Sequence, residues 1–270
     1  MLAWPHHQIA ERLRGHRLRG TSLLRATVAG GKPHQVQQEL TLQMDPKGSY
    51  SAVKNTDPQY GQEVVFDDGW LYIRLRHNPF IRRRPQSERE PRRIADRMVG
   101  LLPGYVDLLG RFISTSREGE VKLASGPAVK VRLGLATRPA ALPAQRGRAR
   151  QWRRFISVQK ISGTVLFCAR TLVPLKVDLR ASWSFHPPGD VRGPSGIPRT
   201  VDRQSVGRMS LELKQQITDI GAQIAIKPPD PAQVRTNLDR QRLEVERQML
   251  TGERPLTGRV DNVNEGDDGE

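Results

Sequence analysis

Few residues of this sequence have the types and spacing that catalysis or metal binding requires. The sequence contains no Gly-rich phosphate loop ending in Lys, no His-Glu-x-x-His and no Gly-x-Ser-x-Gly. His6 and His7 are adjacent, but the other histidines are scattered, so we predict no metal site. Asp67 and Asp68 directly precede a glycine, which favours a turn over a catalytic carboxylate pair. Cys168 is the single cysteine, predicted to be a small buried residue. We therefore expect no enzymatic activity and no cofactor.

Basic side chains are the most prominent chemical feature. The chain has 270 residues, with 44 Lys and Arg against 28 Asp and Glu, a formal net charge of +16. No Asp or Glu occurs from Val121 to Val177, and a second basic cluster spans Arg82 to Arg84. Such density attracts polyanions, either nucleic-acid phosphates or anionic lipid headgroups, although a plain solvated surface remains an alternative. The basic segment offers only Trp152 and Phe155 for base stacking, which disfavours nucleic acid.

Alternation of apolar and polar residues predicts a mainly β protein of about nine to eleven antiparallel strands. The clearest hairpin joins the segments 63–66 and 70–76 through Asp67, Asp68 and Gly69. A short final strand is predicted to contain Ile224 and Ile226. Without a run of about 18 apolar residues, a membrane-spanning helix is excluded.

A helical insertion is predicted between about Ser87 and Phe112. Ser87 and Glu90 have the spacing of a capping box, and Ile94, Met98 and Leu102 would share one face. We expect residues 100–104, which contain two glycines and a proline, to divide the insertion into two helices. Such a pair would cover one face of the sheet.

The aliphatic residues that alternate along these strands would together form one broad apolar surface. We predict that lipid contacts on this concave face come from Leu40, Leu42, Leu71, Ile73, Leu75, Val131, Leu133, Leu211 and Leu213. Anionic headgroups would contact arginines at the rim, namely Arg82, Arg83, Arg84, Arg148, Arg150, Arg153 and Arg154. The sequence leaves two interpretations open, because the same face could be an open cavity or could be packed solid by the helices.

The arrangement of strands, hairpin and helical insertion resembles the LolA/LolB-like lipoprotein carriers, including LolA-like outer-membrane lipoproteins of Gram-negative bacteria. The similarity covers roughly residues 23–228. These lipoproteins carry a hairpin of the form Gly-x-x-x-x-Asp-x-x-Thr-Gly-x-Pro-Leu. Four residues of this chain fit that pattern, namely Gly163, Thr171, Pro174 and Leu175. Cys168 and Leu172 stand where the pattern has Asp and Gly.

The resemblance implies a strongly curved antiparallel sheet, an incomplete barrel whose open face is covered by helices. It also implies a non-enzymatic carrier that binds lipid or the acyl chains of lipidated proteins at the cell envelope. We expect a monomer that contacts anionic membrane surfaces. The alternative is a nucleic-acid-binding protein that uses the Arg-rich segment 146–154.

Three regions are expected along the chain: an amphipathic arm at 1–20, a half-barrel domain at 21–229 with its helical insertion at 87–112, and a C-terminal helix with a disordered acidic tail at 230–270. Residues 1–13 lack the basic-then-apolar pattern of a secretion signal. We therefore expect a cytoplasmic protein if this start is genuine. If a leader was removed, we expect the periplasm or the periplasmic face of the outer membrane.

Overall fold

The alternating segments form one twelve-stranded sheet. The structure, a computed structural model, describes residues 1–27, 31–56, 60–141, 153, 155–185, 190–192, 198–200 and 207–235. Its strands are β1 (His16–Thr27), β2 (His34–Met44), β3 (Tyr50–Thr56), β4 (Tyr60–Asp67), β5 (Trp70–Leu75), β6 (Phe80–Arg83), β7 (Ile113–Leu123), β8 (Gly126–Leu135), β9 (Ile156–Cys168), β10 (Pro174–Phe185), β11 (Asp190–Arg192), β12 (Pro198–Thr200), β13 (Gly207–Thr218) and β14 (Val234–Arg235). β11 and β12 form a separate two-stranded ladder.

The large sheet is open and has two edges. Its order is β14-β6-β5-β4-β3-β2-β1-β13-β10-β9-β8-β7. Neighbouring strands are antiparallel, except that β14 pairs with β6 in parallel. The prediction of a mainly β fold with an open, curved antiparallel sheet is confirmed. The predicted nine to eleven strands are fewer than the fourteen that the described residues form.

The hairpin predicted at Asp67–Asp68–Gly69 joins β4 to β5. Asp67 pairs with Trp70, and the two residues between them have positive φ angles, 46° at Asp68 and 73° at Gly69. Positive φ at both central positions is the geometry of the tight turn that suits twisted strands. These aspartates therefore form a turn, as the sequence indicated.

Three short helices accompany the sheet in the described part of the chain: α1 (His6–Leu13), α2 (Glu90–Met98) and α3 (Leu101–Leu109). The predicted insertion is divided at Val99 and Gly100, whereas Pro103 and Gly104 lie inside α3. A proline fits there because the first turn of a helix lacks partners for its N–H groups. No described helix is long enough or apolar enough to cross a membrane.

The capping box predicted at Ser87 and Glu90 is wrong. α2 begins at Glu90, and its carboxylate accepts hydrogen bonds from the Gln86 N–H, 2.5 Å, and from the Arg83 guanidinium, 2.6 and 3.0 Å. The Arg83 and Glu90 side chains are only 16% and 7% exposed. A buried bidentate ion pair thus fixes α2 to β6, because breaking it would leave a charge without its partner.

Both ends of the described chain differ from the sequence expectation. Residues 16–20, placed in the amphipathic arm, belong to β1, and α1 buries Ile9 and Leu13. The short strand predicted around Ile224 and Ile226 is wrong, since residues 222–230 form no regular element. The C-terminal helix expected from residue 230 is not found in the described residues up to 235: Asp230 caps a short 3-10 helix, and Val234 lies in β14. The acidic tail lies outside the described residues.

Gly163 allows a close approach at the centre of β9. Its φ is 156°, and a Cβ atom at this position would lie 2.0 Å from the Asp178 carbonyl oxygen on β10. Only glycine avoids both the strained backbone and this contact. The glycine of the family-like hairpin is therefore required by the pairing of β9 with β10.

We predict that Gly163→Ala lowers the free energy of unfolding by at least about 1–3 kcal/mol, because the new methyl group must displace the backbone of β10. Urea unfolding followed by circular dichroism measures the change. Gly104→Ala is the matched control: apart from the neighbouring residues and backbone of its own helix, no described atom lies within 4 Å of the place its new methyl group would take, and the helix should gain about 0.5–1 kcal/mol. Equal stability of the two variants would contradict the assigned role of Gly163.

Candidate functional site

One face of the sheet, here called the inner face, collects most of the buried apolar residues of its long strands. Residues paired across neighbouring strands point to the same side. Leu18 of β1 pairs with Leu42 of β2 and Ile217 of β13, and equivalent pairs continue outward to β5 and β8. This register brings together on the inner face Leu40, Leu42, Leu71, Ile73, Leu75, Val131, Leu133, Leu211 and Leu213.

The helices cover most of this face. α2 packs beside β3, where the Tyr50 hydroxyl donates a 2.9 Å hydrogen bond to the Pro91 carbonyl. Seven of the nine predicted contact residues are at most 2% exposed, while Leu75 and Val131 are half-buried. The structure thus places the seven in the packed core and Val131 on an open cavity.

That cavity lies where the inner face of β7, β8 and β9 extends beyond the cover of α3. Its volume is about 540 Å³. The walls are formed by apolar or small side chains of the three strands, by α3 and by the first residues of the chain, including Leu2, Val106, Ile113, Val129, Val131 and Phe167. Among the described residues, no Asp, Glu, Lys or Arg lines it. Such a space favours an apolar ligand, because water inside it has few hydrogen-bonding partners.

Leu172 stands at the edge of this cavity in an unusual backbone conformation. Its φ is 58°, and its side chain is 41% exposed although it lines the cavity. The left-handed conformation costs a leucine about 1–2 kcal/mol, which glycine would avoid. The tight turn is closed by the Leu172 N–H, which donates to the Cys168 carbonyl at 2.9 Å. The hairpin pattern of the LolA-like lipoproteins has Gly where Leu172 stands. In this chain the turn is therefore strained, and it carries an apolar side chain at the cavity edge.

Helix α1 holds the chain start against the cavity through two histidine contacts. The His7 N–H and Nδ1 contact the two carboxylate oxygens of Asp96 on α2, each at 2.7 Å. His16 Nδ1 donates to the Arg14 carbonyl at 2.8 Å, so Nε2 of neutral His16 accepts the 3.0 Å hydrogen bond from His6 Nε2. Burial, and then the neighbouring His16, lowers the pKa of His6 to about 3, and burial also lowers the pKa of His16.

The predicted headgroup arginines lie elsewhere. Arg82 and Arg84 stack on the Trp70 ring, 4.5 and 3.8 Å from its centroid, and Arg83 pairs with Glu90. Arg153 pairs with Asp107 of α3 at 2.5 Å, and its side chain is 14% exposed. None of these four lines the cavity. The other three, Arg148, Arg150 and Arg154, lie outside the described residues.

Several cavity residues were not predicted from the sequence. Ile113 and Phe167 belong to strands that were not assigned to the apolar face, and Leu2 lies in the predicted amphipathic arm. Val129 alternates with Val131 along β8, so the sequence pattern places it on the same face, although it was not named among the lipid contacts. In the part of the chain that the structure describes, no three His, Cys, Asp or Glu side chains are grouped as metal ligands.

No protein-family model matches the chain, and no curated protein matches it. Solved structures similar to it include lipoprotein LppX of Mycobacterium tuberculosis, which is 11% identical with 84% of this chain and 98% of that chain covered and a TM-score of 0.27. A LolA superfamily protein of Nitrosomonas europaea is 11% identical, with 80% and 95% covered and a TM-score of 0.21. An outer membrane lipoprotein-sorting protein domain of Vibrio parahaemolyticus is 10% identical, with 79% and 90% covered and a TM-score of 0.22. The family that the sequence resembles is represented here, but likenesses this distant identify no ligand.

We predict that stability falls on acidification because His6 and His16 are buried in their neutral forms. Their pKa values are lower in the folded chain than in the unfolded chain, so the unfolded chain binds more protons once the pH falls below about 6.5. The stability that comes from these lowered pKa values is fully present above that pH. Below it, the free energy of unfolding decreases by about 1.4 kcal/mol per pH unit for each proton, until the pH reaches the folded pKa. Urea unfolding at a series of pH values measures this slope.

His6→Gln should reduce the slope, while His34→Gln, at an exposed position of β2, should leave it unchanged. A wild-type slope retained in the His6→Gln protein would refute the role of the buried pair.

We predict that Leu172→Gly is more stable than Leu172→Ala by about 1 kcal/mol, because both remove the side chain and only glycine relieves the left-handed backbone. Thermal and urea unfolding of the two variants give the comparison. An alanine variant as stable as the glycine variant would show that the turn is not strained.

Proposed function

We propose that this protein binds the acyl chain of a lipid or of a lipidated protein at the cell envelope, without catalysing a reaction. The single observation that carries the proposal is the apolar cavity of about 540 Å³ between β7–β9, α3 and the chain start. Its volume falls within the roughly 300–1,000 Å³ of small-molecule sites. Each CH₂ group of a chain that leaves water for such a cavity contributes about 0.8 kcal/mol.

The construction of the cavity wall supports binding rather than incomplete packing. Leu172 holds an apolar side chain at the cavity edge at the expense of backbone strain, and strain of this kind persists where function requires it. Leu2 contributes from a segment that precedes α1, and α1 is itself held by His6 and His7. One wall is therefore a short segment whose position depends on two histidine contacts.

The remaining parts of the proposal rest on the resemblance of the sequence to LolA/LolB-type carriers. It supports an envelope location, a role in transport without a cofactor, and contact with lipidated partners and membrane surfaces by a monomer. The nucleic-acid alternative depended on segment 146–154. Of that segment the structure describes Arg153 alone, and its guanidinium is paired with Asp107.

Fluorescent fatty-acid titration tests the proposal. Wild-type protein should bind the probe saturably, and Val131→Arg should weaken binding at least about tenfold, because an unpaired charge in the apolar wall disfavours an acyl chain. Leu172→Gly should weaken it severalfold without loss of stability. Val36→Arg is the matched control, since Val36 lies on the same face but is 40% exposed and outside the cavity.

Circular dichroism must show that the variants are folded. Ile73→Arg and Leu211→Arg would be unsuitable tests, because both residues lie in the packed core, 2% and 1% exposed. Wild-type protein without saturable probe binding, or equal affinity in Val131→Arg and Val36→Arg, would overturn the proposal.

A further inference from the structure

The face of the sheet opposite the inner face is here called the outer face, and an apolar groove lies at its border near the β7–β8 turn. A bulge between Arg117 and Gly119 shifts the register of β7, so that Val121 pairs with Ala128 and Leu123 with Gly126. Val121 and Leu123 consequently point outward, with Leu166 of β9 on the same side. The groove has a volume of about 570 Å³ and an apolar lining. Leu123 and Leu166 line it from the outer face, Ile217, which pairs with Leu18, lines it from the inner face, and Ala124, Leu175 and Ile220 complete it.

A depression of about 380 Å³ on the same face carries three cations. The pairing of β1, β13 and β10 places Arg19 and Lys176 on either side of Gln216. In the next row, Lys214 pairs with Thr21 on one side and with Asp178 on the other. All three cationic side chains belong to exposed residues and line the depression.

These three cations lack acidic partners within the described part of the chain. Asp178 is 3.9 Å from Arg180, and Asp219, which lines the apolar groove, is 3.2 Å from Arg17. Both neighbouring carboxylates therefore have other arginines, and no ion pair joins Arg19, Lys176 or Lys214 to a described carboxylate. Like charges on adjacent strands repel each other, so this arrangement favours an anion between them.

The apolar groove and the cationic depression are continuous, since Lys176 and Gln216 line both. We propose that together they bind an anionic amphiphile with one acyl chain, whose chain lies in the groove against Leu123 and Leu166 and whose anionic group contacts Arg19, Lys176 and Lys214. No aromatic side chain of a described residue lines either part, which argues against nucleobases as the ligand.

This outer site is independent of the inner cavity. The two share no described lining residue. A variant that blocks the inner cavity therefore leaves the outer site available for measurement. Val131→Arg serves as that background, so that failure of the outer site and failure of the proposed function can be distinguished.

The test is calorimetric titration of the Val131→Arg protein with monomeric lysophosphatidylglycerol. Matched titrations use lysophosphatidylcholine of the same chain length, which has a zwitterionic headgroup, and inorganic phosphate, which has no chain. We expect one site that prefers lysophosphatidylglycerol over either probe by about tenfold or more. Raised salt should weaken this binding, because the cations are exposed.

Lys176→Gln and Lys214→Gln should each weaken binding about fivefold, and Leu166→Ser should weaken it for both lysolipids. Lys160→Gln, the same charge change on the outer face of β9 but outside the site, should have no effect. All four changes are at accessible positions, and melting temperatures should stay near that of the parent. Four outcomes would overturn the outer site. The first two are that the Val131→Arg protein does not bind lysophosphatidylglycerol at all, or that it binds the two lysolipids equally. The others are that phosphate binds as tightly as lysolipid, or that Lys176→Gln and Lys214→Gln leave the affinity unchanged.

Discussion

The need to bury one apolar sheet face determines the rest of this structure. Twelve strands spaced about 4.8 Å apart make a surface about 50 Å wide, whereas a nine-residue helix is only about 14 Å long. Curvature brings part of the face together, and α2 and α3 cover much of what remains. Their short length leaves the inner face of β7–β9 to the chain start, and a cavity remains there instead of packed core. The candidate site therefore lies where the helical cover of the inner face ends.

The surplus positive charge of the chain divides into two structural roles. Arg83 and Arg153 are largely buried and fix helices through Glu90 and Asp107, so they act as structural clamps. Arg19, Lys176 and Lys214 are exposed and form no ion pair with a described carboxylate. Composition alone could not separate these groups, because the separation depends on which carboxylates the fold brings within reach. The net charge therefore favoured anionic partners but did not indicate which surface would bind them.

Local rules predicted a large part of the fold. Alternation assigned all nine aliphatic residues to one face, and the Asp-Gly turn fixed the β4–β5 hairpin, since both depend on near neighbours in sequence. The end of the helical cover does not follow from such rules, so sequence could not tell that Leu71 is core while Val131 lines a cavity. The spacing of Ser87 and Glu90 suggested a capping box, whereas the ion pair of Glu90 with Arg83 is a tertiary contact that sequence spacing does not reveal. Leu172 is the one cavity residue whose backbone conformation the sequence comparison indicated. The hairpin pattern has Gly at this position, and glycine is typical of a left-handed conformation.

The bulge in β7 determines on which face of the sheet the second half of this strand presents its apolar residues. Glu118 is the extra residue of the bulge, opposite the step from Val131 to Lys130, where its carboxylate pairs with Lys130 and Arg132. Because Glu118 has no paired residue on β8, loss of this one residue would remove the bulge and leave the other pairs of the ladder in place, Val121 with Ala128 included. Pairing of Glu118 with Lys130 would instead move every later residue of β7 by one position and turn Val121 and Leu123 inward. The bulge therefore lets β7 hold one extra residue while Val121 and Leu123 stay on the outer face.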